Sequence, residues 1–301
     1  MPLDPAIEGF MKQLETDKTT ITEKRVSNRL LTFAVSPRPP QAAGQVSGGM
    51  VAGVPVRMYH PTTPGPLPTV VYFHGGCFVY GDLNTHDQIG RRLSRDTGAV
   101  VVSVGYRLAP EHLYPAAHDD CLAVTRWVAD HIDDYGGGNL AVAGDSAGAN
   151  LAAAVALGFR DEGRALAGQL LAYANLDLSG RHYPSHDVGA TGPFLNPVEA
   201  ADFTELYLSS DPSARDHAPA SPLLASNFAG LAPAVIATSE YDPVRDECFA
   251  YSDALTVAGV PVTLHDYPGL IHGFLSLVTI STAAADAAAE VYAEFAALIK
   301  V

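Results

Sequence analysis

From Pro68 onward the chain alternates short apolar, β-branched runs with stretches whose apolar residues recur at helical spacing. "TVVYF" is followed by a helical pattern over Asp87–Arg95, "AVVVSV" by one over Ala116–Ile132, and "LAVAG" by one over Ala147–Arg160. "QLLAYA" and "AVIAT" come next, then a helical pattern over Val244–Ala258, the run "PVTLHDY" and a C-terminal helix. Strands separated by single crossover helices are the mark of βαβ units. The pattern therefore predicts an α/β fold, a mostly parallel central sheet flanked by helices on both faces.

Two stretches stand outside this rhythm. "AVIAT" is separated from "QLLAYA" by far more chain than a crossover needs, so Asp177 to Pro222 reads as an insertion. Within it Asn196, Pro197 and Glu199 spell a capping box for a helix that presents Phe203, Leu206 and Tyr207. At the N-terminus Pro5 opens a helix with Ile7, Phe10, Met11 and Leu14 on one face, followed by a linker, "SPRPPQAAGQ". The two apolar-faced pieces suggest a helical cap on one core. This divides the chain into 1–45 (cap and linker), 46–180 (core), 181–220 (inserted cap segment) and 221–301 (core).

The strongest chemical signal is "NLAVAGDSAGANLAAAVAL", in which Gly144-Asp145-Ser146-Ala147-Gly148 stands between a strand and an apolar helix. G-x-S-x-G in that context is a nucleophile elbow. The turn is so tight that its two glycines remove side chains that would collide. A serine hydroxyl needs a base, and the base needs an acid to fix its tautomer, in the chain order Ser, acid, His. Asp242 directly follows "AVIAT", and His272 lies beyond the last strand in "VTLHDYPGLIHGF". Their rivals are Asp246, inside the following helix, and His265, within the strand. Ala147, after the serine, is the expected oxyanion donor from the elbow. Gly75 and Gly76 of "HGGC", after "TVVYF", are expected to supply the others. His74 is read as shaping that loop through hydrogen bonds to nearby backbone.

Composition narrows the partners. Of 301 residues, 48% are hydrophobic and 17% charged, enough apolar surface for a large core. A formal net charge of -15 disfavours nucleic acid and anionic lipid surfaces. No run approaches the ~18 apolar residues of a membrane span, and no secretory leader is evident, so a cytoplasmic location is expected. Cys77, Cys121 and Cys248 are odd in number and widely spaced, which points to reduced thiols rather than a disulfide framework or a zinc site. Cys121 shares a helical stripe with Val124, Val128 and Ile132.

Taken with "HGGC" and "GDSAG", the segments "YRLAPEHLYPAAHDD", "GPFLNP", "SPLLA", "EYDPVRDE", "GVPVTL" and "YPGLIHGF" resemble the hormone-sensitive-lipase-like (bacterial family IV) carboxylesterases from about Pro68 to His272. The resemblance implies an α/β-hydrolase fold with a helical cap and a Ser146–Asp242–His272 triad. It also implies hydrolysis of short- to medium-chain acyl esters, small molecules, with no metal or organic cofactor. Pairing of edge strands into a homodimer is compatible with it. The family pattern in the loop is HGGG. Cys77 replaces the third glycine and, with Phe78, Asp145, Phe203, Leu206 and Tyr207, is a candidate for contact with substrate. If the third position requires a positive φ, Cys77 is strained. An acyltransferase or amidase on the same triad, and a non-catalytic ligand receptor of the same fold, are the competing readings. The presence of His272 disfavours the receptor.

Overall fold

The computed structural model describes residues 2–12, 20–37, 40, 42–188, 195 and 197–300. Among these, eight strands form one sheet: β1 (Gln45–Val51), β2 (Val54–His60), β3 (Leu67–Phe73), β4 (Val100–Val104), β5 (Gly137–Asp145), β6 (Gln169–Ala172), β7 (Ala234–Tyr241) and β8 (Val262–Ile271). Their spatial order is β1-β2-β4-β3-β5-β6-β7-β8. The pairings from β4 to β8 are parallel, as the alternating pattern predicts, whereas β1–β2 and β2–β4 are antiparallel. The β1–β2 hairpin lies before the stretch where the alternation begins. It closes through Ala52-Gly53, where both residues take positive φ, the geometry of a two-residue hairpin loop.

Helices α1 (Pro5–Met11), α2 (Ile21–Val35), α3 (Asp87–Thr97), α4 (Ala116–Asp130), α5 (Ala147–Asp161), α6 (Ser185–Val188), α7 (Pro197–Tyr207), α8 (Arg245–Val257) and α9 (Thr282–Leu298) complete the described regular structure with four short 3₁₀ turns. Side chains alternate across a strand, and β3 shows the consequence. Val71 and Phe73 join a core cluster with α4, α5 and α8, while Val70 and Tyr72 join the opposite cluster with α3 and α9. The buried strands are nearly continuous apolar runs because both faces are covered.

Cys121, Val124 and Val128 of α4 are fully buried, and none of the three cysteines is in a disulfide. No described helix is long and apolar enough to cross a membrane.

The N-terminal segment departs from expectation. α1 forms where predicted, with Asp4 accepting from the Ala6 and Ile7 N–H groups and Pro5 at its first turn. Its Ile7, Phe10 and Met11 pack into the cluster beneath β8 and α9, and Leu14 lies outside the described residues. The helix that reaches the C-terminal edge of the sheet is instead α2. Thr20 and Glu23 cap it reciprocally, a T-x-x-E signature legible in the sequence. Arg25 fastens it down: its Nε donates to Val79 O at 2.8 Å and its Nη2 to Ala109 O at 2.8 Å, while both terminal nitrogens donate to Glu111.

In the inserted segment α7 forms as expected. Asn196 lies outside the described residues, so its capping role is not described. Lys24 of α2 stands over the Phe203 ring of α7 at 5.0 Å, and Phe203 meets Tyr80 edge-on at 5.6 Å. The N-terminal and inserted pieces thus touch above the loop that follows β3.

Candidate active site

The elbow is as tight as the two glycines demand. A Cβ on Gly144 would stand 2.1 Å from Gly148 O, and one on Gly148 2.0 Å from Phe73 O. Between them Ser146 takes φ 54° and ψ −123°, a strained conformation for a residue with a side chain. The strain is held in part by Ser146 N–H, which donates to Ala172 O at the end of β6 at 2.9 Å.

The ends of β5, β7 and β8 bring three side chains together. His272 Nε2 lies 2.9 Å from Ser146 Oγ, and His272 Nδ1 lies 3.0 Å from each carboxylate oxygen of Asp242. A carboxylate only accepts, so Nδ1 carries the proton and Nε2 is left to accept from the serine hydroxyl. All three residues are buried, and Val244 N–H holds Asp242 Oδ1 at 3.0 Å. The rival residues are engaged elsewhere. His265 Nε2 meets Glu294 at 2.8 Å, and Asp246 accepts from Ser185 N–H at 2.9 Å.

The loop after β3 is shaped by buried polar groups. His74 Nδ1 donates to Gly75 O at 2.8 Å, as expected of a loop-shaping residue, and the ring stacks on Tyr106. Tyr106 OH donates to His74 O at 2.6 Å. Burial, reinforced by the nearby His86, pushes His74 down to about 4, so it is neutral at ordinary pH.

Asp145 lies beneath the loop and accepts from Tyr72 OH at 2.5 Å and from Gly75 N–H at 3.0 Å. Burial opposes its ionisation, but His86 and the Tyr72 hydroxyl outweigh that effect and keep it below the usual carboxylate value. This arrangement corrects one expectation. The Gly75 N–H is engaged by a buried carboxylate and is not available to a substrate oxygen. Two N–H groups beside Ser146 make no hydrogen bond to any described residue. They belong to Gly76, in the loop, and to Ala147, which opens α5 and has no intrahelical acceptor.

Cys77 takes φ 51° and Phe78 φ 62°, so the third position of the loop does require the left-handed region. The Cys77 sulfur lies 3.6 Å from Tyr80 OH, and Cys77 lines the cleft with Gly76, Asp145, Ser146 and His272. The four apolar residues expected near substrate pack as follows. Phe78 stacks on Tyr207 at 4.1 Å, Phe203 packs against Tyr80, and Leu206 is half-buried against the same core. None of these four is among the residues that line the cleft around Ser146 as described. The sequence reading missed Asn28 and Thr32 of α2, which do line it.

A parallel sheet whose strand ends assemble serine, histidine and aspartate defines the class of the α/β-hydrolases. Residues 70–276 match a family model described as the alpha/beta hydrolase fold. The chain is 42% identical over 245 residues to the esterase LipI of Mycobacterium tuberculosis, covering 79% of this chain and 76% of that one. It is 38% identical over 287 residues to the carboxylesterase NlhH of the same organism, covering 92% and 84%. An esterase of Pyrobaculum calidifontis superposes with a TM-score of 0.92 at 35% identity, over 99% of this chain and 100% of that one. The chain belongs to the hormone-sensitive-lipase-like carboxylesterases of the α/β-hydrolase fold and is a carboxylic ester hydrolase.

Proposed function

We propose that Ser146 attacks the carbonyl of a short- to medium-chain acyl ester while His272 Nε2 takes its proton. Asp242 orients the ring and stabilises the imidazolium. His272 then protonates the departing alcohol, and water, activated by the same nitrogen, releases the acid from the acyl-enzyme. The observation that carries this reading is the unbroken chain from Ser146 Oγ through His272 to Asp242, at 2.9 and 3.0 Å.

The developing oxyanion is bound by the Gly76 and Ala147 N–H groups, with the Cys77 amide, next along the same loop, as the third candidate. Ala147 adds the positive end of the α5 dipole. Support comes from the cleft, which Gly76, Cys77 and Ser146 line together. Segments 1–45 and 181–220 act as the cap over a core of 46–180 and 221–301. The contacts of Lys24 and Tyr80 with Phe203 support α2 and α7 as its covering parts.

The test is a panel of p-nitrophenyl esters from acetyl to long acyl chains, run with Ser146→Ala. Turnover is expected to peak at short or medium chains and to vanish in the variant with its circular dichroism unchanged. A variant that turns over normally refutes the serine mechanism.

A further inference from the structure

Beside the Ser146 cleft lies a second cavity of about 370 Å³, and the two share Asn28 and Tyr80 as walls. Its size falls within the roughly 300–1,000 Å³ of sites that take small molecules. Arg25, Arg29, Glu111 and His112 form much of the remaining surface.

The charges there are matched. Arg25 meets Glu111 through two bonds of 2.7 and 2.8 Å, and Arg29 pairs with Asp82. An ionic ester therefore finds no unbalanced partner. At the junction of the two spaces stands the half-buried carboxamide of Asn28, with two donors and an acceptor and no hydrogen bond to any described side chain or backbone group. An alkyl chain entering this space displaces water from Asn28 and the ion pairs without replacing its hydrogen bonds. A hydroxylated chain replaces them.

We propose that the preferred esters carry a neutral, hydroxyl-rich arm that occupies this cavity, with Asn28 bonding the hydroxyl nearest the scissile carbonyl. The inference rests on the esterase reading above. The arm is either a polyol-like alcohol or a hydroxylated acyl chain, which share the same chemistry.

Two matched pairs of substrates test it: glycerol 1-acetate against propyl acetate, and methyl 3-hydroxybutyrate against methyl butyrate. Each kcat/KM is divided by the rate of alkaline hydrolysis of the same ester to remove intrinsic reactivity. The hydroxylated member of at least one pair is expected to be favoured about tenfold, the yield of one or two net hydrogen bonds. The pair that responds identifies which arm enters. Asn28→Leu is expected to bring the ratio close to one, chiefly through KM, and Asn28→Gln to keep part of it. Ratios near or below one in both pairs, or a ratio unchanged in Asn28→Leu, overturn the proposal. p-Nitrophenyl acetate is run alongside. Its turnover without any hydroxyl preference overturns this inference alone, whereas no turnover overturns the esterase reading and this inference with it.

Discussion

Gly76→Ala gives the sharpest handle on the loop. Gly76 has φ +126°, a region that side-chain-bearing residues scarcely enter, and a Cβ built there would lie 2.0 Å from Tyr80 O and 2.6 Å from Tyr80 C. Holding an alanine in such a conformation costs about 1–3 kcal/mol, and backbone at 2.0 Å does not yield as a flexible side chain would. The loop is expected to relieve both by rotating the Gly76 peptide, which turns its N–H away from the cleft. Loss of one oxyanion donor is worth about 2.7–4 kcal/mol, a fall of ~10²–10³ in kcat. The strain itself should lower Tm by only several degrees.

The assay is kcat on p-nitrophenyl acetate alongside thermal unfolding. Gly53→Ala serves as the control, since φ there is +82° but a Cβ meets nothing within 4 Å. It carries a similar conformational cost with no route to the cleft. A folded Gly76→Ala enzyme whose kcat stays within threefold of wild type refutes the assignment of this amide.

Three further outcomes are expected. Asp242→Asn should lower kcat by roughly 10⁴ with KM little changed, because an amide facing Nδ1 favours the wrong tautomer; a loss under tenfold contradicts the role given to Asp242. Glu247 is buried, and burial raises it to about 7 against the pull of His186 and of the Leu176 and Asp177 N–H groups. Between its ordinary value of 4.5 and about 7 the folded chain holds a proton that the unfolded chain releases, so this group's contribution to stability is lost as pH rises through that window. Glu247→Gln should therefore gain Tm relative to wild type on going from pH 6 to pH 8.5; a deficit that grows with pH contradicts the assignment. Cys77→Gly removes the cost of a side chain at φ 51° but loses a buried thiol and gains unfolded-state entropy, terms of about 1 kcal/mol each with opposing signs. Its Tm should move by no more than a few degrees and its kcat by less than tenfold, and loss of folding or of all turnover contradicts that balance.

The parts of this enzyme that depend on chain order were legible in the sequence. Strand, G-x-S-x-G and helix occur in sequence, and Asp242 and His272 each follow a strand end, so local pattern carried the meeting of three residues as far as 126 positions apart. What depends on contacts across the fold was not. Nothing local to Gly75 announces that a carboxylate 70 residues away takes its N–H, and the cost of that bond falls on the donor set. The burial of Phe78 and Tyr207 against one another was equally hidden, since an aromatic on a cap helix looks alike whether it faces substrate or the core. α2 is a different case. Its Thr20–Glu23 cap was readable, but its low contrast between apolar and polar faces, with Val26, Leu30 and Phe33 all exposed, weakened the periodic signal.

The central claim is that Ser146 is the residue that becomes acylated. Incubation with a p-nitrophenyl alkylphosphonate, a tetrahedral mimic of the attacked ester, followed by intact-mass and peptide analysis, tests it directly. One phosphonyl group per chain is expected, on the peptide containing Ser146, with stoichiometric loss of activity and no labelling of Ser146→Ala. Label on another residue such as Cys77, or inactivation without modification of Ser146, contradicts the account.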